Sequence, residues 1–184
     1  EVDDKNRMHP IKKFAGKSII WIDTSMMDRK DESRLKGGSY CNYAENTLVK
    51  KLLEGFKNEG VLPNLDIGII TGYRGQKDLI RKSVNNSGYD RIAKGIDINT
   101  LDAFQGREND IIIYSTVRTK NSIGFQKEKE RVNVAFSRAK NLLIICGDMD
   151  FFYKFDDPDN KFIEIIDYIC EHEDECLVIP GGEI

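Results

Sequence analysis

Arg131 and Arg138 stand seven residues apart in "RVNVAFSRAK" (131–140). At 100° per residue, Val132, Ala135, Phe136 and Ala139 share one helical face, and the two arginines fall within about 20° of each other at its border. An arginine so placed packs its stem and leaves a planar guanidinium free to meet phosphate or carboxylate. The competing reading is a pair of structural salt bridges to Glu128 or to the acidic end of the chain. A second segment, "TLDAFQGREND" (100–110), sets Gln105, Gly106, Arg107 and Glu108 just before a long apolar run. Gly106 there permits a tight turn or a close approach to a ligand. Its acids Asp102, Glu108 and Asp110 also suggest a two-metal nuclease cluster, although no lysine stands at a suitable spacing. In a third segment, "ITGYRGQ" (70–76), an apolar run delivers Tyr73, Arg74 and Gln76 at its end. Ligands collect beyond the carboxyl ends of strands in open α/β sheets, where an aromatic and an arginine could stack a base and pair a phosphate.

These segments need a scaffold, and short apolar runs alternating with helical patterns supply one. The runs at 18–23, 66–73, 95–100, 110–117 and 141–147 read as strands. Helices are expected at 42–60, 75–84, 127–140 and 161–173, the first opened by an Asn42/Glu45 capping box and closed near Gly60. Leu48, Val49, Leu52, Leu53 and Phe56 form its inward stripe; Leu79, Ile80 and Val84 serve the second. Nearly continuous apolar strands between helices imply an α/β fold with a mainly parallel central sheet and helices on both faces. Residues 26–41 and 118–127 read as polar loops. The expected organisation is a boundary segment (1–17), a domain (18–155) and an acidic helix and tail packed on it (156–184).

Composition narrows the classes. The chain has 184 residues, 40% hydrophobic and 32% charged, with a net charge of −3. The charge is uneven: residues 148–184 hold twelve acidic side chains against two basic, so the remainder is basic. The plainer reading of this split is a solvated acidic helix and tail; the sharper one is an acidic end that stays off a polyanion which the basic body touches. No apolar run approaches the roughly 18 residues of a membrane helix, and no signal-like segment opens the chain. Cys41, Cys146, Cys170 and Cys176 form no CxxC pair, which suits a reducing, intracellular compartment and assigns no metal site. "AGKS" (15–18) and "IIWID" (19–23) imitate a phosphate loop and a magnesium aspartate. The loop pattern needs glycine where Ile11 stands, and it needs a helix where this sequence enters a strand.

Together, "DIGIITGYRGQ", "TLDAFQGRENDIIIYSTVR" and "GFQKEKERVNVAFSRAKNLLIICGD" closely resemble motifs IV, V and VI of superfamily 1 helicases. The resemblance covers about residues 18–152 and is best to the branch of the nonsense-mediated-decay helicase and its DNA-replication and senataxin-like relatives. It implies the second of two RecA-like motor domains, with ATP and Mg²⁺ held chiefly by an N-terminal RecA-like domain of the same protein. It also implies single-stranded DNA or RNA as substrate. By the same resemblance Arg138 is the arginine finger on the γ-phosphate, and Arg74, or else Lys77, is the second phosphate contact. Tyr73 would stack near adenine, Gln76 would support that segment, and Gly106 and Glu108 would meet the ribose-phosphate side. Arg131 would pair with an acidic neighbour. Thr71, Thr100, Ser115 and Arg118 are candidates for nucleic-acid phosphates. A non-catalytic RecA-like binding module is the alternative. Two features depart from the family: Gly72 stands where proline is common, and "NRMHP" (6–10) lies too near the first strand for the signature it resembles.

Overall fold

Six apolar runs line up as parallel strands in the order β5-β4-β6-β7-β1-β8. The computed structural model describes residues 9–104 and 107–184. The elements are β1 (Ile19–Asp23), β2 (Ser33–Arg34), β3 (Tyr40–Cys41), α1 (Tyr43–Asn58), β4 (Asp66–Thr71), α2 (Arg74–Ser87), α3 (Tyr89–Ile92), β5 (Gly95–Thr100), β6 (Asn109–Ser115), α4 (Lys129–Phe136), β7 (Ala139–Gly147), α5 (Met149–Lys154), α6 (Phe162–Glu171) and β8 (Cys176–Pro180). Strand side chains alternate between faces. Ile20, Ile22, Ile67, Ile69, Ile111, Ile113, Leu142 and Ile144 build one core with α1 and α2. Trp21, Ile70, Ile112, Tyr114, Leu143 and Ile145 build the other with α4, α5 and α6. The fold is therefore the expected α/β RecA-like arrangement. Among the described residues, no helix is long and apolar enough to cross a membrane.

Register fixes where the motifs emerge. Thr71 lies opposite both Thr100 and Ser115, so β4, β5 and β6 finish level at one edge. Asn109 pairs with Ala139, so β6 and β7 start level at the opposite edge. Residues 101–104 leave the first edge, and 107–108 enter β6 at the second. Phe104 lies across β4, where Gly68 leaves room: a Cβ there would come within 2.7 Å of the Phe104 ring and 2.6 Å of Ile112.

Four local expectations change. Helix α4 begins at Lys129 and ends at Phe136, not at 140, because β7 starts at Ala139 to pair with β6, and the Arg138 carbonyl accepts the Asn109 N–H at 3.1 Å. Arg138 therefore lies outside the helix, and it shares no helical stripe with Arg131. The loop expected at 26–41 contains the β2–β3 hairpin. The acidic tail supplies a sixth strand, with Leu177 opposite Ile20, and an unforeseen α5 precedes it, capped by Asp148 on the Phe151 N–H. Part of the boundary segment belongs to the domain, since Ile11 and Phe14 are buried in the α1–α2 core.

Candidate functional site

At the edge where β4, β5 and β6 end, aromatic rings surround a buried ion pair. Arg118 donates to Glu32 through Nε at 3.1 Å and Nη2 at 3.0 Å, and its guanidinium lies 4.4 Å from the Tyr40 ring centre. Glu32 also accepts the Thr119 N–H at 2.6 Å. Arg118 Nη1 lies 3.4 Å from the Tyr73 hydroxyl, and the Tyr73 ring packs 5.2 Å from Phe125 and 5.7 Å from Tyr40. Tyr40, Tyr73 and Phe125 border a cavity of about 410 Å³ lined also by Gly38, Ser39, Gly72, Arg74, Thr100 and Asp102. Arg74 is exposed, and no acidic partner faces it among the described residues.

Behind this edge lies a buried polar web that sequence reasoning missed. The fully buried Glu45 carboxylate accepts the Val117 N–H at 2.9 and 3.0 Å, the Ser115 hydroxyl at 2.5 Å and the Thr116 hydroxyl at 3.2 Å. Burial pushes this carboxyl up from 4.5 to about 8, against the hydrogen bonds from Ser115, Val117 and Thr116 that pull it down. The Gln76 amide donates to Ser115 Oγ at 2.9 Å and to the Asn42 carbonyl at 3.2 Å, while its oxygen accepts the Asn42 N–H at 2.7 Å. The Asn42 cap forms as expected, its side chain accepting the Glu45 N–H at 3.1 Å. Glu45 does not complete the box, because its carboxylate turns to β6. Its only sequence signal was that cap.

The opposite edge holds the remaining motif residues. Glu108 is exposed beside a cavity of about 480 Å³, lined by Asp66, Gly95, Ile96, Asp97, Arg107 and Asn109. Arg107 sits 3.7 Å from Asp97. Arg138 leads into β7 here. Its Nε is buried without a hydrogen-bond partner, and no carboxylate pairs with it among the described residues. Arg131, by contrast, is engaged by Glu128 at 2.7 Å and Asp102 at 3.3 Å. Gly106 and its neighbour Gln105 lie outside the described residues.

The sequence-predicted residues thus divide into two groups. Thr71, Tyr73, Arg74, Gln76, Thr100, Ser115 and Arg118 gather at the carboxyl edge, and Glu108 and Arg138 at the amino edge. One strand length, about 20 Å, separates the groups. Parallel strands carry Tyr73, Arg74 and Gln76 to one rim and Arg138 to the other. Thr71, Gln76 and Ser115 are fully buried and Arg118 is 6% exposed, so these side chains brace the rim. Tyr73, Arg74 and Thr100 are the candidates that line the cavity, Arg74 the exposed one. Lys77 lies 3.2 Å from Asp78. The nuclease cluster also dissolves, since Asp102 follows β5 at one rim while Glu108 precedes β6 at the other. No cluster of three or more metal-binding side chains occurs among the described residues. In the decoy "AGKS", the Lys17 ammonium is bound by the carbonyls of Glu173 and Asp174. Asp23 accepts the N–H groups of Ser25 and Met149.

An all-parallel sheet covered on both faces, with motif residues gathered at its two rims, defines a RecA-like domain. The family described as "AAA domain" matches residues 2–150. The chain is 33% identical over 158 residues to DNA polymerase alpha-associated DNA helicase A of Saccharomyces cerevisiae, covering 83% of this chain and 22% of that protein. It is 40% identical over 121 residues to the Regulator of nonsense transcripts 1 homolog of Neurospora crassa, 64% of this chain and 11% of that one. DNA replication ATP-dependent helicase/nuclease DNA2 of S. cerevisiae is 43% identical over 109 residues, 58% of this chain and 7% of that protein. The crystal structure of the C-terminal domain of a "possible DNA helicase" from Lactobacillus plantarum overlays with a TM-score of 0.48 and 16% identity, covering 88% of this chain and 84% of that one. The chain belongs to the AAA-domain family and is a motor domain of its superfamily 1 helicase branch. It spans about a fifth or less of the length of these curated relatives.

Proposed function

We propose that this chain is the second motor domain of an ATP-dependent superfamily 1 helicase or translocase acting on single-stranded DNA or RNA. Its partner is an N-terminal RecA-like domain of the same protein, and the two share a nucleotide cleft. The observation that carries the reading is Arg138: a guanidinium at the amino rim whose Nε is buried and unpartnered, with no carboxylate to neutralise it among the described residues. An unpaired, partly buried arginine suits an anion brought from outside. Glu108, on the same rim, would face the ribose side.

ATP with Mg²⁺ supplies the phosphoanhydride whose cleavage drives such a motor. Among the described residues the one phosphate-loop-like segment forms no cradle, because Lys17 is committed to backbone carbonyls. Its contribution is a fixed positive charge where phosphate charge develops, which costs no reorganisation at the moment of reaction. The carboxyl rim would hold the single strand, Arg74 and Thr100 meeting phosphates without reading sequence. The separation of the rims supports placing Arg74 with the strand rather than with the nucleotide.

Arg138→Ala in the intact protein is expected to lower ATP turnover by about 10³–10⁵ and nucleotide affinity much less, read by steady-state ATPase and nucleotide titration. Near-parental turnover in that variant would remove the arginine-finger assignment.

A further inference from the structure

We propose that Phe125 is a base-stacking platform at the carboxyl rim, with Arg74 as the adjacent phosphate contact. The ligand class is single-stranded nucleic acid, so the inference rests on the motor reading above. Phe125 is 47% exposed although its neighbours Ile123 and Gln126 are 0% and 1% exposed. The loop is therefore anchored, and its one large ring is held at the cavity wall.

Three contacts set that ring. Gly124, at φ +62°, has its N–H bound by Ser122 Oγ at 3.0 Å, and a Cβ there would lie 1.9 Å from the Tyr73 hydroxyl oxygen. No other residue type fits so close to Tyr73. After the ring, the Gln126 amide donates to the Thr116 carbonyl. Beside it, Tyr73 packs at 5.2 Å, itself edge-on to Tyr40, which Arg118 covers. A ring immobilised before the ligand arrives pays little ordering entropy on binding.

Charge favours a polyanion. Arg74 lines the same cavity, and the β2–β3 hairpin that supplies Gly38 and Ser39 to its wall also carries the exposed Arg34 and Lys36. Neither makes an ion pair among the described residues. Asp102, which lines the cavity, is paired with Arg131, and Glu32 behind it with Arg118. Aromatic faces interleaved with unpaired cations are the equipment of a sequence-tolerant single-strand groove.

The test uses the intact protein with dye-labelled oligo-dT and oligo-rU, read by fluorescence anisotropy at several salt concentrations. Phe125→Ala should weaken binding about 5- to 150-fold while leaving the slope of log K against log salt unchanged, because a stacked ring releases no counterion. Arg74→Ala should reduce that slope by about one. Phe125→Trp should bind with near-parental affinity, and its added emission should be quenched on binding, which a purely structural ring would not produce. Parental affinity in Phe125→Ala, or unquenched emission from a saturated Phe125→Trp complex, overturns the platform and leaves the motor reading standing. A parental protein that retains neither oligonucleotide overturns both.

Discussion

Glu45 shows how one residue can join distant parts of the chain. It sits on α1, yet its carboxyl binds Ser115, Thr116 and Val117 about seventy positions later. Val117 adopts φ +72°, costly for a β-branched residue and held there by the two contacts to its N–H. Because burial raises this carboxyl to about 8, the folded state favours its protonated form. Its contribution to stability is then complete below about 4.5 and is lost as pH rises through about 8. Thermal unfolding of this chain between pH 6 and pH 9 is therefore expected to show a falling Tm, with a shallower fall in Glu45→Gln, which stays neutral throughout. Equal slopes in the two proteins would refute the assignment. The sequence pattern exposed only the local half of this residue, its N–H on the Asn42 cap. A spacing rule sees three or four residues ahead, whereas the partners of this carboxyl are set by the β4–β6 register. Arg138 was legible for a related reason and mislocated for another: its type and neighbourhood were clear, but the helix ended two residues before it.

Among the elements, strands were the easiest to read and short pairings the hardest. "DIIIYSTV" and "NLLIICG" are unbroken apolar runs because both faces of β6 and β7 are covered. The two-residue strands β2 and β3 carry no such signal. "CLVIP" was masked by the acids around it and by Pro180 at its end. The hairpin matters because Glu32, just before it, is tied to Arg118 in the loop after β6, with side chains 2% and 7% exposed. Removing one partner strands a buried charge, so Glu32→Ala or Arg118→Ala should each cost about 3–5 kcal/mol in denaturant unfolding. The double substitution should cost less than their sum, and strict additivity in the double-mutant cycle would show that the pair does not act as a unit.

For the whole molecule, the parallel sheet sorts the motifs by direction. Residues that follow a strand reach one rim, and residues that precede one reach the other. Motif order along the chain hides this, and a resemblance transfers residue roles without the rim on which each lands. The chain covers 7% to 22% of these curated relatives' length, and the described residues form no phosphate loop. Purified alone, it is expected to show ATP turnover at background, by phosphate release with and without oligonucleotide; robust turnover would contradict the shared cleft. Any single-strand affinity it shows should fall steeply as salt rises.

The crossing segment joins these scales. From Thr100 to Asn109 the chain has about 32 Å of reach at full extension, and it must travel about 20 Å along the strands while passing two strand spacings of about 4.8 Å. Phe104 is wedged over Gly68 along the way. A side chain introduced at Gly68 would therefore press on Phe104, and through the Phe104 N–H, which the Thr100 carbonyl accepts at 3.0 Å, on the end of β5.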